Sequence, residues 1–382
     1  MKVCFFNLTE TTDEKVANGV VRVAMVLASA LRSRGNSVDF YAPPPNRELK
    51  RLGLSAGAHF RKFLREREIE IAVWHMGNCR IPFSLKNLPC PLICVWHNAP
   101  NYRMGTYVER LAEKYGVRAG IFRKLFLSRV SRFLICFVYE FYRKRAFFYA
   151  CRQCQKFVLL SEKFFPTFPP AKKFPEKVCA VPNPAAFPPV ENIDFSKKKK
   201  ELLFVGRLEF GQKRPDLLLK IWARLESRFS DWALRIVGDG PDAERIRALA
   251  GTLGLKRVRF EGFCDPKPFY RDAAIFCMTS EFEGFAMVLI EATAFGCVPV
   301  VFNSFASVSD IVVHGENGTL VPAFDCAAYA EELARLMTDA ALRERLALAA
   351  RDRVSAFAPD KIAARWETLF AEALCSRAVA SL

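Results

Sequence analysis

No stretch of the 382 residues stays apolar for eighteen positions, the length a helix needs to cross a bilayer. The strongest candidate, Phe133 to Tyr142, is interrupted by Glu140 and closed by Arg143, Lys144 and Arg145. Residues 1–8 turn polar too soon to read as an export signal. A disulfide framework is missing as well. The 13 cysteines are scattered, many inside apolar strings such as Val3-Cys4-Phe5 and Ile93-Cys94-Val95, and read as small buried thiols. Their odd number and the lack of an export signal predict a reducing, cytoplasmic setting. Cys151 and Cys154 form a lone C-x-x-C; with no second pair or neighbouring histidines it is a poor zinc site. No D-x-D metal motif occurs, and no metal site is expected. No nucleic-acid-binding module accompanies the positive charge, so nucleic acid is not an expected partner.

What is present is a globular chain, 51% hydrophobic and 25% charged, and long enough for two cores rather than one. Its formal net charge of +17 calls for an anionic partner: a phosphorylated substrate or an acidic membrane surface.

The order of elements predicts an α/β fold. Short apolar strands are expected at 3–6, 38–41, 69–74, 91–96 and 157–160, with a helix beginning at Asn18-Gly19 and stopping at Gly35-Asn36. A second series follows, with strands at 202–205, 233–237, 258–260, 274–278 and 298–302 and a helix from Pro215. Strands that alternate with helices form parallel, doubly wound sheets. The boundary falls in the Pro- and Lys-rich stretch from Pro182 to Lys200, where the four-lysine run 197–200 reads as a solvated linker patch. The predicted division is residues 1–190, residues 191–358 and a helical segment over 359–382, with Trp366 and Phe370 as packing anchors.

One segment fits neither series. From Tyr102 to Tyr149, Phe122, Phe126, Phe133, Phe137 and Phe141 recur at helical spacing, interleaved with Arg118, Arg123, Lys124, Arg129 and Arg132. Two readings apply: a helix packed inside the first domain with a basic outer face, or a helix lying on an anionic bilayer. The charge bias favours the bilayer.

The residues that carry chemistry lie in the second series. After the strand at 274–278 comes Ser280-Glu281-Phe282-Glu283-Gly284-Phe285, and a helix is expected from about Phe285. Glu283 then stands in the loop before the helix and Glu291 in its second turn. The free N–H groups of a helix start suit phosphate oxygens, and two carboxylates can each accept hydrogen bonds from sugar hydroxyls. Glu291 sits among Val288, Leu289, Ile290 and Ala292, so its charge requires a partner. A second group follows the strand at 202–205: Gly206-Arg207-Leu208, then Lys213-Arg214-Pro215 opening a helix. Ligands in open α/β sheets sit beyond the carboxyl ends of strands, where Arg207 can grip a diphosphate bidentately and Lys213 adds a point charge. Val237-Gly238-Asp239-Gly240-Pro241 is a glycine turn whose spacing is wrong for a dinucleotide fingerprint.

In combination these strings resemble the GT-B glycosyltransferases, in particular the retaining family 4. The E-x7-E pair is Glu283 and Glu291. The family's Gly-Arg…Lys element is Gly206, Arg207 and, six positions on, Lys213. The V-G-D-G-P turn, the string from His314 to Pro322, and Val181-Pro182-Asn183-Pro184 are all similar to the family's. The resemblance implies two Rossmann-like domains facing across a cleft, with a C-terminal helix returning to the first. It implies that Glu283 holds hydroxyls of the donor sugar and Glu291 the ribose hydroxyls. Arg207 and Lys213 would neutralise the diphosphate, helped by N–H groups near Gly284, Phe285, Ala286 and Met287. Asn18-Gly19 resembles the glycine-rich first loop, although the family often has two adjacent glycines there. His97, in His97-Asn98-Ala99-Pro100, occupies the position of a histidine near the transferred sugar; His59, His75 and His314 have weaker claims.

The implied activity is transfer of a sugar from a nucleoside-diphosphate sugar to a hydroxyl of a glycan or lipid-linked acceptor, with retention. No bound cofactor or metal is implied. The setting would be lipopolysaccharide, capsule or exopolysaccharide synthesis on the inner face of the cell membrane, contacted through residues 102–149. Two rivals share the fold: an epimerase-like nucleotide-sugar enzyme, and a non-catalytic membrane-associated subunit. The intact Arg207, Lys213, Glu283 and Glu291 argue against both.

Overall fold

The computed structural model describes residues 1–7, 19–76, 83–101 and 128–380. The chain forms two compact units, Met1–Pro182 with Ile362–Leu382, and Asn183–Lys361. Each is built on a six-stranded parallel sheet.

The first sheet comprises β1 (Lys2–Phe6), β2 (Ser37–Tyr41), β3 (Ile71–Met76), β4 (Leu92–Trp96), β5 (Lys156–Leu159) and β6 (Val178–Ala180), in the order β2-β1-β3-β4-β5-β6. Every residue of β3 and β4 is buried, as expected for central strands covered on both faces. Phe5, Phe6, Trp74 and Trp96 fill this core. The chain runs from β1 out to β2 and returns to β3 on the other side of β1. A crevice therefore opens beyond the carboxyl ends of β1 and β3.

The second sheet comprises β7 (Lys199–Val205), β8 (Ala233–Val237), β9 (Val258–Gly262), β10 (Ala273–Met278), β11 (Val298–Asn303) and β12 (Thr319–Pro322), in the order β12-β11-β10-β7-β8-β9. Its first three strands grow one way and its last three the other, so the crevice lies beyond β7 and β10. Trp222, Trp232, Leu218, Ile275 and Val300 are among its buried core. The edge strands β6 and β12 are short, and β12 ends in proline. That leaves too little apolar alternation for either to stand out in the sequence.

Several local expectations are corrected. The helix after β10 is Met287–Ala294, not from Phe285; Phe285 and Ala286 belong to the loop, and the Phe285 ring packs edge-on against Phe357 at 5.4 Å. The helix is apolar around almost its whole circumference because it is buried on nearly all sides. The lysine run is exposed at Lys197, Lys199 and Lys200, as expected, but it is not a linker. Lys199 and Lys200 lie in β7 and pair with Asp272 and Asp231, each at 2.5 Å. Lys198 donates to the carbonyls of Tyr270, Ala273 and Phe295 at 2.8–3.0 Å, gathering chain ends beneath the sheet. Residues 183–190 join the second unit, where Ala185 N–H donates to the Phe357 carbonyl and Val190 N–H to that of Ala294.

The long C-terminal helix Pro359–Ala380 is tied into the first unit. Arg34 pairs with Glu367 at 2.9 Å, Lys156 pairs with Glu372 at 2.6 Å, and Arg377 donates to the Leu88 carbonyl at 2.6 Å. Trp366 and Phe370 are buried as anchors.

The basic aromatic segment is described from Ser128 onward; Phe122, Phe126, Arg118, Arg123 and Lys124 lie outside the described residues. Helix Arg129–Gln153 begins at Ser128, whose hydroxyl accepts from Ser131 N–H. Its second half packs inward, with Phe147 edge-on to Trp96 at 4.8 Å and to Phe168 at 5.0 Å. The outer face of its first half is not basic but apolar: Phe133, Phe137 and Phe141 are each more than half exposed. Cys151 and Cys154 are buried free thiols at its end, and Lys177 caps that end through their carbonyls.

Candidate active site

The crevice beyond β7 and β10 gathers much of the second unit's polar chemistry. β7 ends at Val205, and Gly206, Arg207 and Leu208 lead the chain out. Gly206 N–H donates to the Val237 carbonyl and Leu208 N–H to that of Asp239, both at 3.0 Å. This loop lies directly on the V-G-D-G-P turn. A Cβ on Gly238, whose φ is +133°, would sit 2.0 Å from the Gly206 carbonyl oxygen, and one on Gly240 would sit 2.4 Å from that of Leu208. The turn's glycines are needed for close backbone approach. They let the turn lie directly against the loop that carries Arg207.

The Lys213 stem passes over Gly206, where an added Cβ would come within 3.7 Å of its Cδ. Its ammonium reaches the Glu283 Oε1 at 2.6 Å. Gln212 Nε2 donates to the Phe282 carbonyl at 3.2 Å and lies 3.4 Å from Glu283 Oε2. Gly206, Lys213 and Glu283, drawn from two separate loops, thus form one cluster. Two groups without a sequence signal of their own fasten it. The Thr279 hydroxyl lies 2.9 Å from the Arg214 carbonyl and 3.1 Å from that of Lys213, and Glu281 N–H donates to the Gln212 carbonyl at 2.7 Å. A threonine directly after a strand was the available hint. Arg214 takes a left-handed backbone (φ +49°) at the start of helix Pro215–Ala223, and its guanidinium is held by Asp216.

Arg207 shares the loop, but its side chain is 55% exposed; its ion partner is Glu209, at 3.6 Å. Its side chain is therefore accessible to an anionic ligand, while Glu209 itself is buried, with 2% of its side chain exposed. Beyond Glu283, the N–H groups of Phe285, Ala286, Met287 and Val288 have no intramolecular acceptor among the described residues. They precede or open helix Met287–Ala294 and form a ready anion site. Glu291 lies in the second turn of that helix and is 2% exposed. Its Oε2 accepts from the Tyr270 hydroxyl at 3.0 Å, in full burial. The string from His314 to Pro322 is a structural turn. Asn317 bonds Val313 N–H and the Ile311 carbonyl, and His314 Nδ1 accepts from Leu320 N–H.

In the first unit, His97 follows β4 and meets His75 of β3. Their Nδ1 (His75) and Nε2 (His97) lie 2.9 Å apart, with the rings 10° from parallel. His75, weak in the sequence, is thus the direct partner of His97; a histidine inside an all-buried strand was the signal. The outer nitrogens, His75 Nε2 and His97 Nδ1, have no partner among the described residues. Burial lowers both pKa values, His97 to about 4 and His75 well below its ordinary value, with the neighbouring ring a second cause for His75. Both rings are neutral near pH 7. One proton joins them, so one outer nitrogen is a donor and the other an acceptor. Gly19 opens helix Gly19–Ser33, and a Cβ there would meet nothing within 4 Å. Asn18 lies outside the described residues.

Two parallel doubly wound domains place the chain among the GT-B folds. Residues 190–353 match the family described as glycosyl transferases group 1. An uncharacterised glycosyltransferase of Haemophilus influenzae is 35% identical over 173 residues, which are 45% of this chain and 48% of that protein. A phosphatidyl-myo-inositol mannosyltransferase of Mycobacterium leprae is 36% identical over 159 residues, 41% of this chain and 42% of that one. These alignments span less than half of either relative. Among solved structures, sucrose-phosphate synthase of Thermosynechococcus elongatus superposes with TM-score 0.70 at 18% identity, over 98% of this chain and 99% of that one. HepE of Anabaena, in complex with UDP, gives TM-score 0.67 at 16% identity over the whole of both chains. At such identities the likeness shows the fold.

Proposed function

We propose that the chain transfers a sugar from a nucleoside-diphosphate sugar to an acceptor hydroxyl, with retention. The observation that carries this is the cluster of Gly206, Lys213 and Glu283 at the switch of the second sheet, next to the free N–H groups of 285–288. In this reading the ion pair is a place-holder. The donor diphosphate takes Lys213, the exposed Arg207 and the N–H groups; the hydroxyls of the donor sugar take Glu283. Glu291, anchored by Tyr270, takes the ribose hydroxyls. The bond from the sugar's anomeric carbon to the diphosphate breaks as the acceptor oxygen bonds the same face, and the acceptor's proton passes to a departing phosphate oxygen. Charge growing on the leaving group is met by preplaced donors, so no metal or cofactor is called on. His97, as a neutral imidazole braced by His75, and Gly19 are assigned to the sugar and acceptor.

The acceptor is proposed to be a glycan or lipid-linked hydroxyl in lipopolysaccharide, capsule or exopolysaccharide synthesis, reached from the cytoplasmic face of the membrane. Support comes from the aromatic helix of the first unit, and from a relative named for mannose transfer to phosphatidyl-myo-inositol. No helix among the described residues is long and apolar enough to cross a membrane, so contact would be peripheral.

A melting-temperature panel of UDP-, GDP- and ADP-sugars tests the donor half. A donor at about a hundred times its Kd should stabilise the fold by roughly 2.7 kcal/mol. HepE's bound UDP makes UDP-sugars the first to try. No stabilisation by any of them, or an unaltered response in Glu283→Ala and Lys213→Met, sinks the assignment.

A further inference from the structure

Among the described residues, eleven large apolar side chains are exposed, and seven of them lie on one helix: Val130, Phe133, Leu134, Phe137, Val138, Phe141 and Tyr142. Their spacing of three and four places them on a single stripe, roughly 18 Å long. The other four are scattered. A stripe this continuous on an otherwise ordinary surface marks a contact face. The opposite side of the helix, through Arg143, Ala146, Phe147 and Ala150, is buried in the first unit, so the helix lies along that unit's surface with the stripe outward. The one acid in the stripe's span, Glu140, is paired with Arg143.

At the C-terminal end of the stripe is a groove of about 790 Å³. Phe141, Tyr142 and Tyr149 line it together with Arg145, Arg152 and Lys173. The three cations have no carboxylate partner among the described residues. Arg145 lies over the Phe141 ring at 5.5 Å, and the Tyr149 hydroxyl is pinned by Leu85 N–H at 3.2 Å. An apolar stripe that ends in unpaired cations matches the layering of a bilayer leaflet, with acyl chains beneath phosphates. A protein partner would answer the stripe alone; the cations ask for phosphate at its edge.

We propose that this stripe inserts into the surface of an anionic phospholipid bilayer, and that the groove holds a lipid phosphate between Arg145, Arg152 and Lys173. This deepens the membrane partner of the proposed function by naming the face, its orientation and the headgroup site. Each cation near an anionic surface contributes about a fivefold factor in binding, so removing three costs on the order of a hundredfold.

The test is co-sedimentation of the full chain with vesicles of phosphatidylcholine alone or containing phosphatidylglycerol. Neither donor nor sugar acceptor is present, so failure here leaves the donor site standing, and a failed donor panel leaves this face standing. Wild type should bind phosphatidylglycerol vesicles more tightly, and salt should weaken that binding. The triple variant Arg145→Gln, Arg152→Gln, Lys173→Gln should lose about a hundredfold on those vesicles. Phe137→Glu should abolish binding to both; all four side chains are at the surface, and an unchanged melting temperature confirms folding. Phe137→Trp should blue-shift with phosphatidylglycerol vesicles and be quenched by lipids brominated on the acyl chain. A chain that stays in the supernatant, a triple variant that binds like wild type, or a tryptophan that is not quenched overturns the proposal. So does a wild-type dimer that Phe137→Glu converts to monomer.

Discussion

Replacing Lys213 by Met while leaving Glu283 in place removes one end of a 2.6 Å ion pair and strands the other. The Glu283 side chain is only 8% exposed, and its remaining partner is Gln212, at 3.4 Å. Stranding a fully buried charge costs about 3–5 kcal/mol. Lys213 is 17% exposed and the crevice admits water, which brings the cost down to about 1–3 kcal/mol. For a unit of this size that is a fall of roughly 5 °C in its melting transition. Glu283→Gln strands a flexible ammonium that can turn to solvent, so its stability cost should be smaller, under about 1 kcal/mol. The double variant leaves neither charge unpaired and should melt close to wild type. Donor binding should not follow stability. Lys213→Met loses charge-assisted bonds to the diphosphate, about 1.5–3 kcal/mol, or roughly ten- to a hundredfold in Kd, and the double variant recovers none of it. Scanning calorimetry and donor titration on the same four proteins separate the two effects. A double variant that regains donor affinity would reduce the pair to a structural ion bridge. A Lys213→Met protein with wild-type melting and wild-type affinity would refute the reasoning altogether.

Gly238→Ala should weaken donor binding without touching a donor atom. Its Cβ would lie 2.0 Å from the Gly206 carbonyl oxygen at a φ of +133°, so the Arg207 loop must move by about 1 Å. Gly251→Ala, whose Cβ meets nothing within 4 Å near the end of a helix, is the control and should be neutral or stabilising by under about 1 kcal/mol. The His75–His97 pair gives a pH signature. The folded state refuses protons that the unfolded chain takes up below about pH 6.5. The first unit should therefore lose stability as pH falls from there toward about 4. Changing both histidines to Gln should flatten that slope in melts recorded across the range; an unaltered slope would mean the acid sensitivity lies elsewhere.

Much of the molecule was written locally. The alternation of apolar strands with helices specified two doubly wound sheets because burial on both faces demands continuous apolar runs, as in β3, β4 and β10. The loops that carry Arg207, Lys213 and Glu283 could be picked out because charged residues placed just after predicted strands are visible in local sequence. Local sequence could not show which groups meet. That Lys213 spans Gly206 to reach Glu283, seventy residues on, depends on β7 and β10 being neighbours, and strand order is a property of the whole sheet. Tyr270 as the partner of Glu291, and His75 as the partner of His97, are long-range pairings of the same kind. The lysine run was legible as an exposed patch, since Lys197, Lys199 and Lys200 do face solvent, but not its one inward member. Lys198 finds three carbonyls that only the folded sheet brings together. In the aromatic helix the sequence set the period of the stripe, but only packing decided which side faces out. The phenylalanines there are exposed because the opposite face, closing on Trp96 and Phe168, already meets the core.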